Sequence, residues 1–220
     1  MNIYNLLSDK RITGRLNRAL ELFLPPVISD RKTVACLFNF FQGRGFRYID
    51  VTDDPATFPR GKRDSDCTPA QWRAALDLVA GESVLDIGCG TGSFVKLVAE
   101  KGFKVTGIDP SGQPDGENNW RILRGYAENC SFPEKAFDTV LSFKTLEHIP
   151  DARSTLEFWR TLARRRVILL LPCQRYRRFG YDGHVNIYHD KYQLRIQLGL
   201  KDNASIKKVD NEWLVSEDTH

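Results

Sequence analysis

Residues 84–94 read Val-Leu-Asp-Ile-Gly-Cys-Gly-Thr-Gly-Ser-Phe, an apolar run that passes straight into Gly88, Gly90 and Gly92. Glycines at that spacing let the backbone turn sharply and let a ligand approach with no Cβ in the way. Asp109 follows Gly88 by 21 residues and closes the next apolar run, 104–108. A carboxylate at that place can accept both hydroxyls of a ribose, so turn and acid together point to a bound nucleoside. Two nearby positions narrow the class. A dinucleotide site wants its third glycine at position 93, where this chain has Ser93, and Asp86 beside the turn would repel a pyrophosphate. The same acid attracts a cation. S-adenosylmethionine carries a sulfonium and an ammonium group, so Asp86 favours that nucleoside by Coulomb attraction.

Other reactive side chains are more scattered. His148, in Leu146-Glu147-His148-Ile149-Pro150, follows the apolar run 137–143; it is either a structural turn histidine or a proton acceptor, since imidazole titrates near neutral pH. His184 lies in the polar and aromatic stretch 181–188, where a substrate contact or base is expected. His189 and His220 carry little weight. Cys173 follows Pro172, but nothing nearby except arginines would lower its pKa, so a nucleophilic role is weakly supported. Seven arginines without an acid fall between Phe158 and Tyr181: Arg160, Arg164, Arg165, Arg166, Arg175, Arg177 and Arg178. The default for such a group is a solvated face. Arg164 to Arg166 precede the run 167–171 and read as surface, whereas Arg175 and Arg178, with Tyr181, follow it and are candidates to grip an anionic acceptor bidentately.

These residues need a scaffold, and the chain supplies one. Its 220 residues are 41% hydrophobic and 27% charged, which excludes a wholly disordered chain. The longest uninterrupted apolar run, 167–171, is far too short for a membrane span, and Ser8, Asp9 and Lys10 stand where a secretory leader would be apolar. Five cysteines (Cys36, Cys67, Cys89, Cys130 and Cys173) contain no CxxC pair for zinc or redox work, and read as reduced thiols in a cytoplasm. A net charge of +4 is modest for a dedicated nucleic-acid binder.

Helical spacing covers 11–24 and stops at Pro25-Pro26; an aromatic, glycine-containing stretch follows at 38–48, then an Asp/Pro/Gly-rich linker at 53–63. This first portion reads as a cap, either packed irregularly by its aromatics or covering a substrate. Thr68 and Pro69 offer an N-cap and a first-turn proline for a helix running to 79. From there, strands at 83–87, 104–108, 120–123, 137–143 and 167–171 alternate with helices at 92–101, 153–163 and 190–200. Strands 205–209 and 212–215 close the sheet as a hairpin. Apolar strands without polar alternation mean a parallel sheet covered on both faces. The expected fold is a doubly wound, mainly parallel, seven-stranded α/β sheet over 68–220, preceded by a helical and irregular cap over 1–67. The crossover 111–119, with Gly112, Pro114 and Gly116, is thin, and its helix is expected to be short or replaced by loop.

On these motifs the chain resembles the class I S-adenosylmethionine-dependent methyltransferases, in their small-molecule branch. The resemblance covers 72–200. Residues 84–94 are similar to the family's first motif, 105–110 to its second, and 124–138 to its adenine-side segment, while 140–150 resembles the fourth strand and its turn. It implies a Rossmann-like sheet binding S-adenosylmethionine. The backbone at Gly88, Cys89, Gly90 and Gly92 would face the methionine part beside Asp86, Asp109 and Pro110 would hold the ribose, and Ala127 would offer its amide to adenine. Phe143 would border the sulfonium. The family commonly has Asp where this chain has Tyr126, so either Glu128 substitutes or Tyr126 packs on the adenine. Lys144 is expected to point away or meet a substrate anion.

The function expected is methyl transfer to a small-molecule or saccharide-like, anionic acceptor, with His148 and His184 as candidate bases. Two alternatives stand beside it: an RNA methyltransferase using the arginines and aromatics as a platform, and a non-catalytic S-adenosylmethionine-binding protein.

Overall fold

The computed structural model describes residues 67–175 and 184–219. Residues 1–66 of the expected cap 1–67, together with Arg177, Arg178, Tyr181 and His220, lie outside the described residues. The chain divides into two compact units, one formed by 1–59 with 175–184 and the other by 60–174 with 185–220. The architecture below is that of the second.

Helix α1 (Pro69–Leu76) starts on a reciprocal cap: the Thr68 hydroxyl accepts from the Gln71 amide at 3.2 Å, and the Gln71 side chain accepts from the Thr68 amide at 2.9 Å. It is three residues shorter than its spacing suggested, because Leu78 and Val79 bond three residues back and tighten into a turn. Then follow β1 (Ser83–Ile87), α2 (Ser93–Glu100), β2 (Lys104–Asp109), β3 (Asp115–Glu117), β4 (Trp120–Arg124) and β5 (Phe137–Phe143). The chain continues through α3 (Ala152–Leu162), β6 (Ala163–Pro172), α4 (Lys191–Leu198), β7 (Ser205–Val209) and β8 (Glu212–Asp218).

The strands form one sheet in the order β3-β4-β2-β1-β5-β6-β8-β7. The five central strands are parallel; β8 runs antiparallel to β6 and β7, and β3 antiparallel to β4. Chain order leaves β1 toward β4, then returns to β5 on the other flank of β1. The reversal therefore falls beside β1, and ligands of such sheets bind outside the strands' carboxyl ends there.

Alternate strand residues feed two apolar layers. Val84, Val105, Ile122, Leu141 and Leu170 pack with Phe94, Val95 and Val98 of α2 and Ala75 of α1. Leu85, Ile108, Val140, Leu169 and Val215 pack with Leu156 and Trp159 of α3 and Leu194 and Leu198 of α4. Burial on both faces is why the central strands are rich in apolar residues, without strict polar alternation.

Three details depart from the sequence reading. The sheet has eight strands rather than seven, because β3 occupies the thin crossover at 111–119 as a three-residue antiparallel edge. Strand β6 begins at Ala163, directly after α3, and takes in Arg164 to Arg166. Those arginines stay outward by pairing: Arg164 and Arg165 with Asp138 at 3.0 and 3.4 Å, and Arg166 with Asp218 at 2.7 Å. Arg160 is not on a solvated face. It is buried, and its guanidinium grips Glu217 of β8 at 2.7 and 2.8 Å. No helix among the described residues is long and apolar enough to cross a membrane.

Candidate functional site

The carboxyl end of β1 is a turn of left-handed residues, with φ of 79° at Gly88, 59° at Gly90 and 82° at Gly92. Two of these positions differ in kind. A Cβ on Gly88 would lie 2.1 Å from Thr145 Oγ1, so only glycine lets the β1 turn pass under the β5 turn. Around Gly90, nothing among the described residues lies within 4 Å of where a Cβ would stand. The turn is thus closed on the sheet side and open on the other, the shape a ligand needs to reach the backbone. Gly92 is the left-handed N-cap of α2.

Asp109, the last residue of β2, ties this turn to the next one. One carboxylate oxygen accepts from the Gly90 amide at 2.9 Å; the other accepts from the Ser111 amide and hydroxyl, both at 2.8 Å. Asp109 is 8% exposed, so its carboxylate is held in place close to the surface of the turn. Asp86 sits within β1 behind the turn. Burial, and then the neighbouring Asp109 carboxylate, push its pKa up to about 8. A cation at the turn would favour ionisation of Asp86 beside the Asp109 carboxylate.

The adenine-side residues fall at a single-turn 3-10 helix, Ala127–Asn129. Ala127 is buried, Tyr126 and Glu128 are exposed on either side of it, and Pro110 is half-buried after β2. Phe143 closes β5 with its ring 4.8 Å from that of Phe94, which meets Trp72 of α1 at 5.7 Å. Lys144 is the one non-glycine residue of these turns with a positive φ, 56°. Of its two expected dispositions the first holds: Nζ turns to β8 and pairs with Glu212 at 2.6 Å.

His148 ends a second 3-10 turn, Leu146–His148, and is half-buried. The preceding Glu147 is fully buried, and its carbonyl accepts from the Val185 and Asn186 amides at 2.8 and 3.1 Å. The Asn186 side-chain amide donates to the carbonyls of Leu146 and Ile149 at 3.3 and 2.6 Å, clamping this turn against the returning chain. Tyr188 is wholly buried; burial and the Glu147 carboxylate hold its phenol above the usual range. Cys173 pairs as a β-bridge with Tyr188, and its thiol lies 3.7 Å from the His189 carbonyl. Arg175 is exposed and His184 half-buried; both belong to the unit containing 1–59.

A family model described as a methyltransferase domain matches residues 60–205, well over half of the chain. This protein belongs to the S-adenosylmethionine-dependent class I methyltransferases. Demethylmenaquinone methyltransferase of Tropheryma whipplei is 36% identical over 101 residues, 40% of this chain and 41% of that protein. The 2-methyl-6-phytyl-1,4-hydroquinone methyltransferase of Synechocystis is 35% identical over 135 residues, covering 56% and 42%. The chain thus spans less than half the length of these curated relatives. Among solved structures, an S-adenosylmethionine-dependent methyltransferase from Mesorhizobium loti shares the fold with a TM-score of 0.51 at 15% identity, over 68% of this chain and 97% of that one.

Within that methyltransferase frame, several residues that shape the turns escaped the sequence reading. Ser111 holds Asp109, Thr145 walls Gly88, Ser142 donates to the Ile87 carbonyl at 2.7 Å, and Asn186 clamps the His148 turn. Only Ser111 had a local signal, as a hydroxyl two residues after the strand-end acid. The others act across 37 to 58 residues of sequence.

Proposed function

We propose that this protein transfers the methyl group of S-adenosylmethionine to a small-molecule acceptor bearing a phenolic or quinol ring. The observation that carries the donor half is the β1 turn: open over Gly90, closed over Gly88, and backed by Asp86 and Asp109. The residues present fit that donor. Asp86 and Asp109 would meet the ammonium and sulfonium, the Gly88-Cys89-Gly90 backbone would line the methionine part, and the Asp109 carboxylate would take the ribose hydroxyls. The Ala127 amide meets the adenine while Tyr126 covers its face; Pro110 and Phe143 fill apolar surface beside the nucleoside. Bound there, the sulfonium supplies an electrophilic methyl for in-line displacement, so the protein's part is chiefly positioning and exclusion of water. His148, at the carboxyl end of β5, takes the proton of an acceptor hydroxyl as that hydroxyl is consumed.

The acceptor half is supported by the two quinol-type relatives, named for a demethylmenaquinone and a phytyl hydroquinone. It is tested by titration calorimetry with S-adenosylmethionine, followed by transfer of a labelled methyl to a panel of quinols, phenols and anionic saccharides. Donor binding with turnover on quinols or phenols is the expected result. Turnover confined to anionic saccharides overturns the acceptor class, and failure to bind the donor overturns the reading entirely.

A further inference from the structure

We propose that the outer face of α4 docks this protein on the surface of an anionic lipid bilayer. The helix has a divided surface. Leu194 and Leu198 are fully buried against α3, whereas Tyr192 and Ile196, one turn apart, are 69% and 73% exposed. These two are the most exposed large hydrophobic side chains among the described residues, and they share one helix face. An aromatic and an aliphatic residue presented together to water form a small apolar wedge of the kind interfacial helices insert among headgroups.

Cations surround the wedge. Lys191 holds its ammonium 5.1 Å from the Tyr192 ring centroid. Arg195 lies in the next turn and donates to the carbonyls of Lys201 and Ala204. Lys201 follows the helix, and the Arg153 guanidinium lies against Gly199 at the helix end. Three acids stand against these four cations: Asp190, which accepts from the Tyr192 and Gln193 amides at 2.8 and 3.0 Å, Glu157, which shares Arg160 with Glu217, and Asp202, leaving the rim net positive. An apolar centre with a cationic rim complements anionic headgroups over acyl chains, because each basic side chain adds attraction to the negative surface. Tyr and Lys are also the residues that sit at such a boundary, ring in the apolar zone and amine among the phosphates.

Position adds a second argument. Tyr188 bridges to Cys173 at the end of β6, so the chain returns to the sheet's carboxyl edge just before α4 begins. The first turn of α4, which carries Tyr192, therefore starts close to the carboxyl end of β6. A quinol with a long hydrocarbon chain, such as the phytyl of the Synechocystis relative's substrate, resides in lipid. That link to the acceptor rests on the function proposed above; the docking itself rests on α4.

The test is co-sedimentation of the full chain with vesicles of phosphatidylcholine containing about one third phosphatidylglycerol, against phosphatidylcholine alone, at low and high salt. The protein is expected on the anionic vesicles, with most of it released by high salt. The Tyr192→Ser/Ile196→Ser double variant is expected to lose about tenfold in vesicle affinity while keeping its thermal midpoint and its calorimetric S-adenosylmethionine affinity. Lys191→Gln should weaken binding and flatten its salt dependence. Wild-type protein that stays in the supernatant, binds neutral vesicles equally, or loses nothing in the double variant overturns the proposal. So does a Tyr192- and Ile196-dependent dimer on gel filtration without vesicle binding, which would make this face a contact between copies. Donor affinity on the same samples separates the readings: vesicle binding without donor binding sinks the function alone, and the converse sinks the docking alone.

Discussion

The carboxyl edge of the sheet has two flanks that are built in opposite ways. On the β1–β2 flank, Asp109 reaches Ser111 two residues away and Gly90 nineteen residues away, and every contact involves a backbone amide or its neighbour. On the β5–β6 flank, Lys144 is held by Glu212, Gly88 is walled by Thr145, and the His148 turn is clamped by Asn186. The first flank is thus a local structure that short sequence spacing fixes. The second is an assembly of distant segments, which leaves it freer to change with the acceptor. On the function proposed above, the constant nucleoside would be met by backbone on the first flank, and specificity would rest on what the long-range contacts position on the second.

The largest expected effect comes from forcing the two flanks apart. Gly88→Ala places a methyl on Thr145 Oγ1 and on a backbone at φ 79°, so both turns must shift. Donor affinity should fall by about 100-fold or more, with a stability loss of about 2–3 kcal/mol, read by calorimetry and thermal unfolding. Gly88→Ala/Thr145→Ala should recover part of the stability, because the clash is relieved and the left-handed penalty remains. Gly90→Ala makes the contrast. Its Cβ points into open space, so stability should fall only by about 1 kcal/mol while donor affinity drops substantially. If Gly90→Ala leaves donor affinity unchanged, the open side of the turn is not where the donor lies.

Asp109→Asn comes next and stays within the first flank. The amide can still accept from one partner, but it presents an NH2 where either Gly90 or Ser111 donates, and it loses the charge facing the donor. Donor affinity is expected to weaken by about 10- to 100-fold, with a smaller loss of stability. Ser111→Ala, which removes one donor to the same carboxylate, should cost only a few-fold.

Asp86 provides the pH test. Its folded pKa of about 8 lies above the ordinary carboxyl value of 3.8, so between those pH values the folded protein keeps a proton that the unfolded chain releases. The stability from that difference is fully present below the ordinary value and is lost as pH rises toward 8, at no more than about 1.4 kcal/mol per pH unit. Above 8 the dependence flattens. A cationic donor favours the carboxylate, so donor affinity should strengthen as pH rises toward 8, with a proton released on binding. Asp86→Asn should remove both slopes. Parallel pH profiles for the two proteins would show that Asp86 does not face the cation.

The same division explains what could be read from the chain. Strands β1, β2, β4 and β5 are legible because their buried positions are filled mostly by apolar, β-branched and aromatic residues between turn signals. Strand β3 was not, since Asp115-Gly116-Glu117 has no apolar residue and exists only as an edge along β4. Strand β6 was read from position 167, because Arg164 to Arg166 look like surface until Asp138 and Asp218 are known to pair with them. Strand β8 was cut short at 215 for a related reason: Ser216, Glu217 and Asp218 are polar, and Glu217 is buried only because Arg160 reaches it. In the site, Gly88, Gly90 and Asp109 announced themselves by spacing. Thr145, Asn186 and Glu212 had no such signal, because a contact across tens of residues leaves no periodic trace.

The smallest expected effect is the one that best isolates the second flank. Lys144 adopts φ 56° without being glycine, a conformation that costs about 1 kcal/mol or more and that its surroundings must hold in place. Two contacts do so: its amide donates to the Leu170 carbonyl at 2.9 Å, and its ammonium pairs with Glu212 at 2.6 Å. Lys144→Gly keeps the backbone unstrained but cuts the link to β8, leaving the buried Glu212 without that charge. Lys144→Met keeps the bulk and the strain while cutting the same link. If the pair positions the turn that carries His148, both variants should lower kcat a few-fold and leave donor affinity within about twofold, with Lys144→Gly the more stable of the two. Lys144→Arg, which preserves the charge, should restore most of kcat. Equal losses of donor affinity and kcat would mean that the two flanks are not independent, and that the β5 turn supports the donor as much as the acceptor.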